Sequence, residues 1–433
     1  MKVPKEVWFI LKRFYNSGHE AYIVGGAVRD FLLGKEVSDW DITTSASSDE
    51  IKEIFKDRTH FSLKHDTVTL VIKKKNYEIT PFKGGNLYSD LMFRDFTIDA
   101  IAYDPVKEKI IDPEGGRRDI EKRIIRATRN PYERFKEDPL RMLRAIRLSV
   151  ELGFRIEKKT LKAIEEMSSL LQSVSQERIR DELLKILISP FPSKGIELSR
   201  KTGLLRYIIP ELLEGWKMRQ NRYHRYTVLK HILITVDLVE PDPILRLSAL
   251  LHDIGKPRTK RKIKKRVVFY GHERESERMA EKIMRRLRFS NEEIRKVCVL
   301  VRNHMLNYRS DWKDSAIRRL IRRVGKDMIF KLISLRRADL IAHGTDKSYE
   351  LKLLEELKNR VKDELNKGFA LSIKDLKING YIIMKELGIP EGPLVGKILR
   401  RLHEKVIENP DLNTQEKLIQ MAKDIASKEL PSA

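Results

Sequence analysis

Residues 21–44, AYIVGGAVRDFLLGKEVSDWDITT, put two glycines and two aspartates within one short stretch. The apolar run Ala21 to Val24 predicts a buried strand ending at Gly25-Gly26. Two glycines permit a tight turn and let backbone N–H groups approach an anion closely. Ala27 to Leu33 predicts a short helix stopped by Gly34, with room for phosphate at its N-terminus and Arg29 in its first turn. The chain returns through Ser38-Asp39-Trp40-Asp41-Ile42-Thr43, where strand alternation would set Asp39 and Asp41 on one face and Trp40 on the other. Two carboxylates held that close repel unless a cation lies between them, and oxygen ligands with room left for phosphate suit Mg²⁺. A lone GG is commonly a turn and a lone DxD a solvated strand end. In this order and this close, they fit metal-assisted nucleotidyl transfer, with Asp39 and Asp41 as catalytic metal ligands and Gly25, Gly26 and Arg29 on the phosphates.

The pattern G-G-x-x-R-D…D-x-D resembles the head of the polymerase-β-like nucleotidyltransferases. With the motifs that follow, the chain resembles the class II tRNA nucleotidyltransferase and poly(A) polymerase family, which adds CCA, or part of it, to tRNA 3′ ends. The segment Phe93 to Ala100 reads by itself as a helix start. It resembles the family's RRDFTxNA motif, which implies nucleotide-binding roles for Arg94 and Asp95, while Phe93 and Asp99 depart from the pattern. The loop before that motif, between Thr80 and Arg94, looks shorter than in members that add the full CCA. The resemblance links that loop to the final A, so a CC-adding product stays open.

The stretch Pro131 to Leu152 predicts one long helix with Asp138, Arg141 and Arg144 along one side and Leu143, Ile146 and Val150 on the other. It resembles the family's E-D-x-x-R motif. The resemblance implies that Asp138 and Arg141, assisted by Arg144 and Arg147, pair with the incoming base. A carboxylate accepts from an exocyclic amino group and a guanidinium donates to a ring nitrogen or carbonyl, which separates C and A from U and G. Ser175 to Leu184 predicts a supporting helix, with Glu177 and Arg178 orienting the base reader.

Past Pro190 the texture is almost wholly helical. His231, the adjacent His252-Asp253 and the distant Asp339 resemble the HD superfamily of metal-dependent phosphohydrolases. Imidazole nitrogens and carboxylate oxygens can hold a second metal there, a divalent transition ion, and activate a water. His272 and His304 are candidates to extend that site; an HD fold kept only as an RNA-binding scaffold is the competing reading. Beyond residue 346 Tyr381 and several lysines are the RNA-contact candidates, and the resemblance implies a tail that grips the tRNA acceptor arm.

The elements that must position these groups follow from pattern. Val7, Ile10, Leu11 and Phe14 predict an opening helix over residues 3–17, and Ser47 or Ser48 would cap a helix through Phe55. Thr67 to Ile72 and Tyr77 to Thr80 predict strands joined by a polar turn, with Glu78 a candidate third acid. The expectation is an α+β chain: a small mixed-sheet head (1–125), a helical neck (126–210), an HD-type body (211–345) and a helical tail (346–433). At 433 residues several domains are expected, and a net charge of +25 favours a polyanionic partner. The expected partners are the tRNA 3′ end and acceptor arm with CTP and ATP. The single Cys298 points to a reducing cytoplasm, no apolar run approaches a membrane span, and Lys2, Lys5 and Glu6 argue against a leader. A poly(A) polymerase and a phosphohydrolase with an RNA-binding head remain the alternatives.

Overall fold

The helical period over residues 3–17 becomes the helix Lys5–Asn16, which buries Val7, Ile10, Leu11 and Phe14. It packs beside a seven-stranded sheet built from β1 (Ala21–Val24), β2 (Asp41–Thr44), β3 (Phe61–Lys64), β4 (Thr67–Ile72), β5 (Lys75–Pro81), β6 (Ala102–Asp104) and β7 (Lys109–Ile111). The spatial order is β3-β4-β5-β2-β1-β6-β7. Only the β2–β5 pair is parallel, so the sheet is mixed, as expected of an α+β head. The computed structural model describes residues 1–57, 61–64, 67–264, 266–370 and 372–429, and the chain forms two compact units, Met1–Pro210 and Glu211–Ala433.

Local chemistry explains the first unit's turns. Ser47 caps the helix Ser48–Ile54 through a reciprocal box with Glu50. β4 turns into β5 through Lys73 and Lys74, both at positive φ (50° and 64°), the geometry that matches hairpin twist.

Three expectations need correcting. Asp39 is not in a strand. β2 begins at Asp41, whose partner Val24 is the last residue of β1; Gly25 then turns away at φ 70°, and Asp39 is left exposed with no strand to pair with. The segment from Phe93 does not start a helix. A helix Leu87–Met92, capped by Asn86 accepting from the Ser89 amide at 2.9 Å, ends just before it inside the supposed loop, and only a 3₁₀ turn, Thr97–Asp99, follows. The long helix over 131–152 is two, Pro131–Glu137 and Leu140–Leu152. Proline disfavours helical backbone in the residue before it, and Asp138, ahead of Pro139, is extended at φ −147°, ψ 100°.

Among the described residues the second unit is helical apart from a small hairpin, Arg261–Ile263 with Arg266–Val268. The apolar helices Val228–Leu238 and Pro243–Leu251 pack with Asn291–Asn303 and Ile329–Ala342. Near the C-terminus the helices Gly380–Leu387, Pro393–Glu408 and Gln415–Glu429 close around Ile398, Leu402 and Leu418. Buried Arg318 donates to the carbonyls of Ile407 at 2.6 Å and Glu408 at 2.7 Å, satisfying the C-terminal end of the second of these helices. Among the described residues no helix is long and apolar enough to cross a membrane.

Candidate functional site

Where β1 ends, the first unit opens a polar cleft of about 460 Å³. Gly25, Gly26, Arg29, Asp41 and Arg94 line one part of it, and Asp138, Arg141, Arg144 and Arg147 another. Gly25 is needed for more than its backbone angle: a Cβ there would lie 2.8 Å from Arg94 Nη1 and 3.3 Å from Asp41 Oδ2. The parallel β2–β5 register sets Glu78 directly across from Asp41. Burial pushes the Asp41 carboxyl up to about 6, with Glu78, Asp99 and Asp39 adding to the rise against the pull of Arg94. Asp39 itself is exposed and does not line the cleft, yet its charge reaches Asp41. This gathering of carboxylates against a glycine turn offers hard oxygen ligands to a divalent cation.

The arginines are held by acids rather than left loose. Arg29 meets Asp99 at 2.5 Å and Asp30 at 2.9 Å. Asp95 receives Arg141 Nε and Arg144 Nη1, each at 2.6 Å; burial alone would raise its pKa, but these two cations hold it below the ordinary value. Asp138 is not paired with Arg141. It receives Arg178 Nη2 at 2.8 Å from the helix Gln176–Ile188, while Arg147 meets Glu182 of the same helix at 2.7 Å.

The second unit brings His231, His252, Asp253 and Asp339 together, all buried, with potential ligand atoms within 4.8 Å of one another. His231 Nε2 is 3.0 Å from Asp339 Oδ1 and 3.2 Å from Asp253 Oδ2. Burial opposes a charge on His252, but Asp253 and Asp339 raise its pKa to about 10, so the two carboxylates demand positive charge at this point. Burial would raise Asp253, yet Lys256, at 2.6 Å from Oδ2, and His252 hold it well below the carboxylate range.

Family models match three stretches. The poly A polymerase head domain matches residues 21–126, the probable RNA and SrmB-binding site of polymerase A matches 153–215, and tRNA nucleotidyltransferase domain 2 matches 267–422. The CCA-adding enzyme of Ligilactobacillus salivarius is 30% identical over 438 residues, covering 96% of this chain and 95% of that one. The chain belongs to the CCA-adding enzyme family. The crystal structure of the Bacillus stearothermophilus CCA-adding enzyme in complex with CTP aligns over 99% of both chains at 28% identity and a TM-score of 0.75. A CC-adding tRNA nucleotidyltransferase of Halalkalibacterium halodurans is 42% identical over 206 residues, 48% of this chain and 54% of that one. Alignments to this protein and to a Geobacillus CCA-adding enzyme span 54% and 64% of those proteins' own lengths.

Within this CCA-adding family member, several residues escaped the sequence reading. Arg134, 1% exposed, donates through Nη2 to the carbonyls of Phe93 and Arg94 and pairs with Glu137, so it fixes the turn that presents Arg94. Its signal was hidden because a charged residue on a helix is ordinarily read as solvated. Asp99, which breaks the family motif, holds Arg29, and Lys256, four residues after His252, sits on Asp253. His343, one turn after Asp339, lies 3.6 Å from its carboxylate, a spacing a helical reading could have found.

Proposed function

We propose that this chain is a tRNA nucleotidyltransferase that adds C and A to the tRNA 3′ end from CTP and ATP, releasing pyrophosphate, without a nucleic-acid template. The observation that carries the reading is the single cleft holding Asp41, the glycine turn and the arginine row of the helix Leu140–Leu152. The head, neck, HD-type body and tail would divide at about residues 125, 210 and 345, and the work would be done in the cytoplasm.

Asp41, together with Asp39 two residues before it, would hold Mg²⁺, which when bound would lower the pKa of an attacking 3′-hydroxyl and offset charge on the phosphates. Glu78, facing Asp41 across the β2–β5 register, supplies a third carboxylate to the same place. Gly25 and Gly26 admit the triphosphate close to backbone, and Arg29 and Arg94 donate to it. The base falls to Asp138 and Arg141. Each carboxylate oxygen accepts more than one hydrogen bond, so Asp138 can take an amino N–H of C or A while keeping Arg178. Asp95, which lines the same cleft, holds both Arg141 and Arg144 at 2.6 Å and so sets where their guanidinium groups meet the nucleotide.

The test is extension of a tRNA transcript lacking CCA, resolved to single nucleotides, with Mg²⁺ and CTP, with and without ATP. Termination at CCA is expected, and Asp41→Ala is expected to abolish addition. Termination at CC with ATP present would make this a CC-adding enzyme, and uncontrolled A addition a poly(A) polymerase. No extension by the unsubstituted chain would overturn the transferase reading.

A second reading concerns the other unit. We propose that His231, His252, Asp253 and Asp339 hold a divalent transition metal in a phosphohydrolase-type site, on the strength of two buried carboxylates converging on imidazole Nε2 atoms. When bound, such an ion would activate a water. Retained metal in the purified protein and hydrolysis of p-nitrophenyl phosphate test it; loss of both in Asp339→Asn is expected.

A further inference from the structure

The cleft of the first unit holds an aromatic side chain that the roles assigned above do not use. Phe93 stands where the family motif carries an arginine, and it lines the cleft with 39% of its surface exposed. The other apolar side chains of the lining, Phe96 and Leu148, are 1% and 3% exposed. Among the described residues, the cleft therefore offers a ligand one accessible apolar ring amid charged and polar groups.

Neighbours seat that ring. Phe93 closes the helix Leu87–Met92, and buried Arg134 donates to its carbonyl. Gly84, at φ 76°, lies against it: a Cβ there would come within 3.0 Å of Phe93 Cε2 and 2.8 Å of Ser89 Cβ. The Arg129 guanidinium stands over the ring, 6.0 Å from its centroid. Buried Asp90 ties the helix to the sheet, one carboxylate oxygen accepting from the Lys83 amide at 3.1 Å and the other from the Thr43 hydroxyl at 3.2 Å.

Position in the sheet says which nucleobase the ring can serve. The glycine turn that admits the triphosphate follows β1, Asp41 opens β2, and Glu78 lies in β5 on the far side of β2. In-line displacement puts the entering and leaving oxygens on opposite sides of the α-phosphorus. With pyrophosphate leaving on the β1 side, the attacking 3′-hydroxyl enters from the β5 side. Phe93 belongs to that side: it packs on Gly84, three residues beyond the end of β5 at Pro81. Lys83, exposed in the same lining, adds positive charge there for RNA phosphate. A growing 3′ end changes its terminal base, which edge-specific hydrogen bonds would not tolerate, whereas every base has a π-face.

We propose that Phe93 is the stacking platform for the terminal nucleobase of the RNA acceptor, turning its 3′-hydroxyl toward Asp41. The proposal rests on the transferase reading above and adds the place of the acceptor, which none of the base-reading residues supplies.

The test is C addition by the full-length chain to two acceptors, a tRNA transcript lacking CCA and the same RNA with its 3′-terminal nucleotide made abasic. Phe93→Leu is expected to lose about tenfold in kcat/KM for the intact acceptor, and removal of the base to cost it about tenfold less than it costs the parent. KM for CTP is expected to stay unchanged. Phe93→Trp is expected to restore the coupling between ring and base, which a merely structural role would not do. Additive losses on removing ring and base would overturn the proposal. So would a rise in KM for CTP without that coupling, which would put the ring under the incoming nucleotide instead. Should Phe93→Leu fail to fold by circular dichroism, Phe93→Trp decides: discrimination against the abasic end at or above the parent's is expected, and a fall below it would overturn the platform. No addition by the unsubstituted chain would overturn the transferase reading and the platform together.

Discussion

Burial, with Glu78, Asp99 and Asp39 alongside, moves the Asp41 carboxyl to about 6, whereas an aspartate in an unfolded chain titrates near about 3.9. The folded head therefore binds this proton more tightly than the unfolded chain does. The charged form lowers stability progressively as pH rises from about 4 to about 6, and by a constant amount above that. Asp41→Asn removes the penalty. Its Tm is expected to exceed the parent's at pH 7.5 and to match it near pH 4, while nucleotide addition is lost; an equal Tm difference at both pH values would assign the effect to packing. At low Mg²⁺ the parent's addition rate is expected to rise through about pH 6. That midpoint should move down as Mg²⁺ is raised, because proton and cation compete for one carboxylate. Arg134 poses the opposite case, a buried charge whose partners are backbone carbonyls and Glu137. Arg134→Met leaves the Phe93 and Arg94 carbonyls without their donor, so a loss of about 2–4 kcal/mol in unfolding free energy is expected by denaturation. A roughly tenfold or greater fall in kcat for addition should accompany it, since 1.4 kcal/mol of misplacement already gives that factor.

At the scale of elements, two short segments set the cleft. The β4–β5 hairpin fixes which residue of β5 faces Asp41, and its turn places Lys74 at φ 64°. A non-glycine residue in that region costs about 1–2 kcal/mol. Lys74→Gly is therefore expected to raise stability by about 0.5–1 kcal/mol after the entropy of glycine is counted, with activity unchanged; a fall in the urea midpoint would show the turn to be relaxed already. Pro139 matters for selectivity. By holding Asp138 extended ahead of the helix, it lets that carboxylate reach Arg178 while Arg141 stays with Asp95. Pro139→Ala would permit one continuous helix and carry Asp138 off this position. Expected is a several-fold loss in kcat/KM for CTP and ATP, with raised UTP incorporation in the tRNA extension assay; unchanged base selectivity would remove Asp138 from base reading.

At the scale of the whole molecule, a net charge of +25 makes electrostatics the main source of affinity for a polyanion. With about five phosphates neutralised, tRNA affinity should fall on the order of 10²–10³-fold between 50 and 200 mM salt. A flat dependence in filter binding would instead place recognition in uncharged contacts. Much of this molecule follows from sequence alone. The period of Val7, Ile10, Leu11 and Phe14, the strand before Gly25-Gly26, the box at Ser47 and the pairing of His252 with Asp253 rest on interactions between neighbours along the chain, which spacing reports directly. The positions of Glu78 opposite Asp41, Arg134 beneath Arg94, Asp95 between two arginines, and His272 and His304 on the far oxygen of Asp253 are of another kind. Each joins residues distant along the chain, through strand register or helix packing. Only the folded chain decides such meetings, because pairing a buried charge is an energetic demand that no local pattern records.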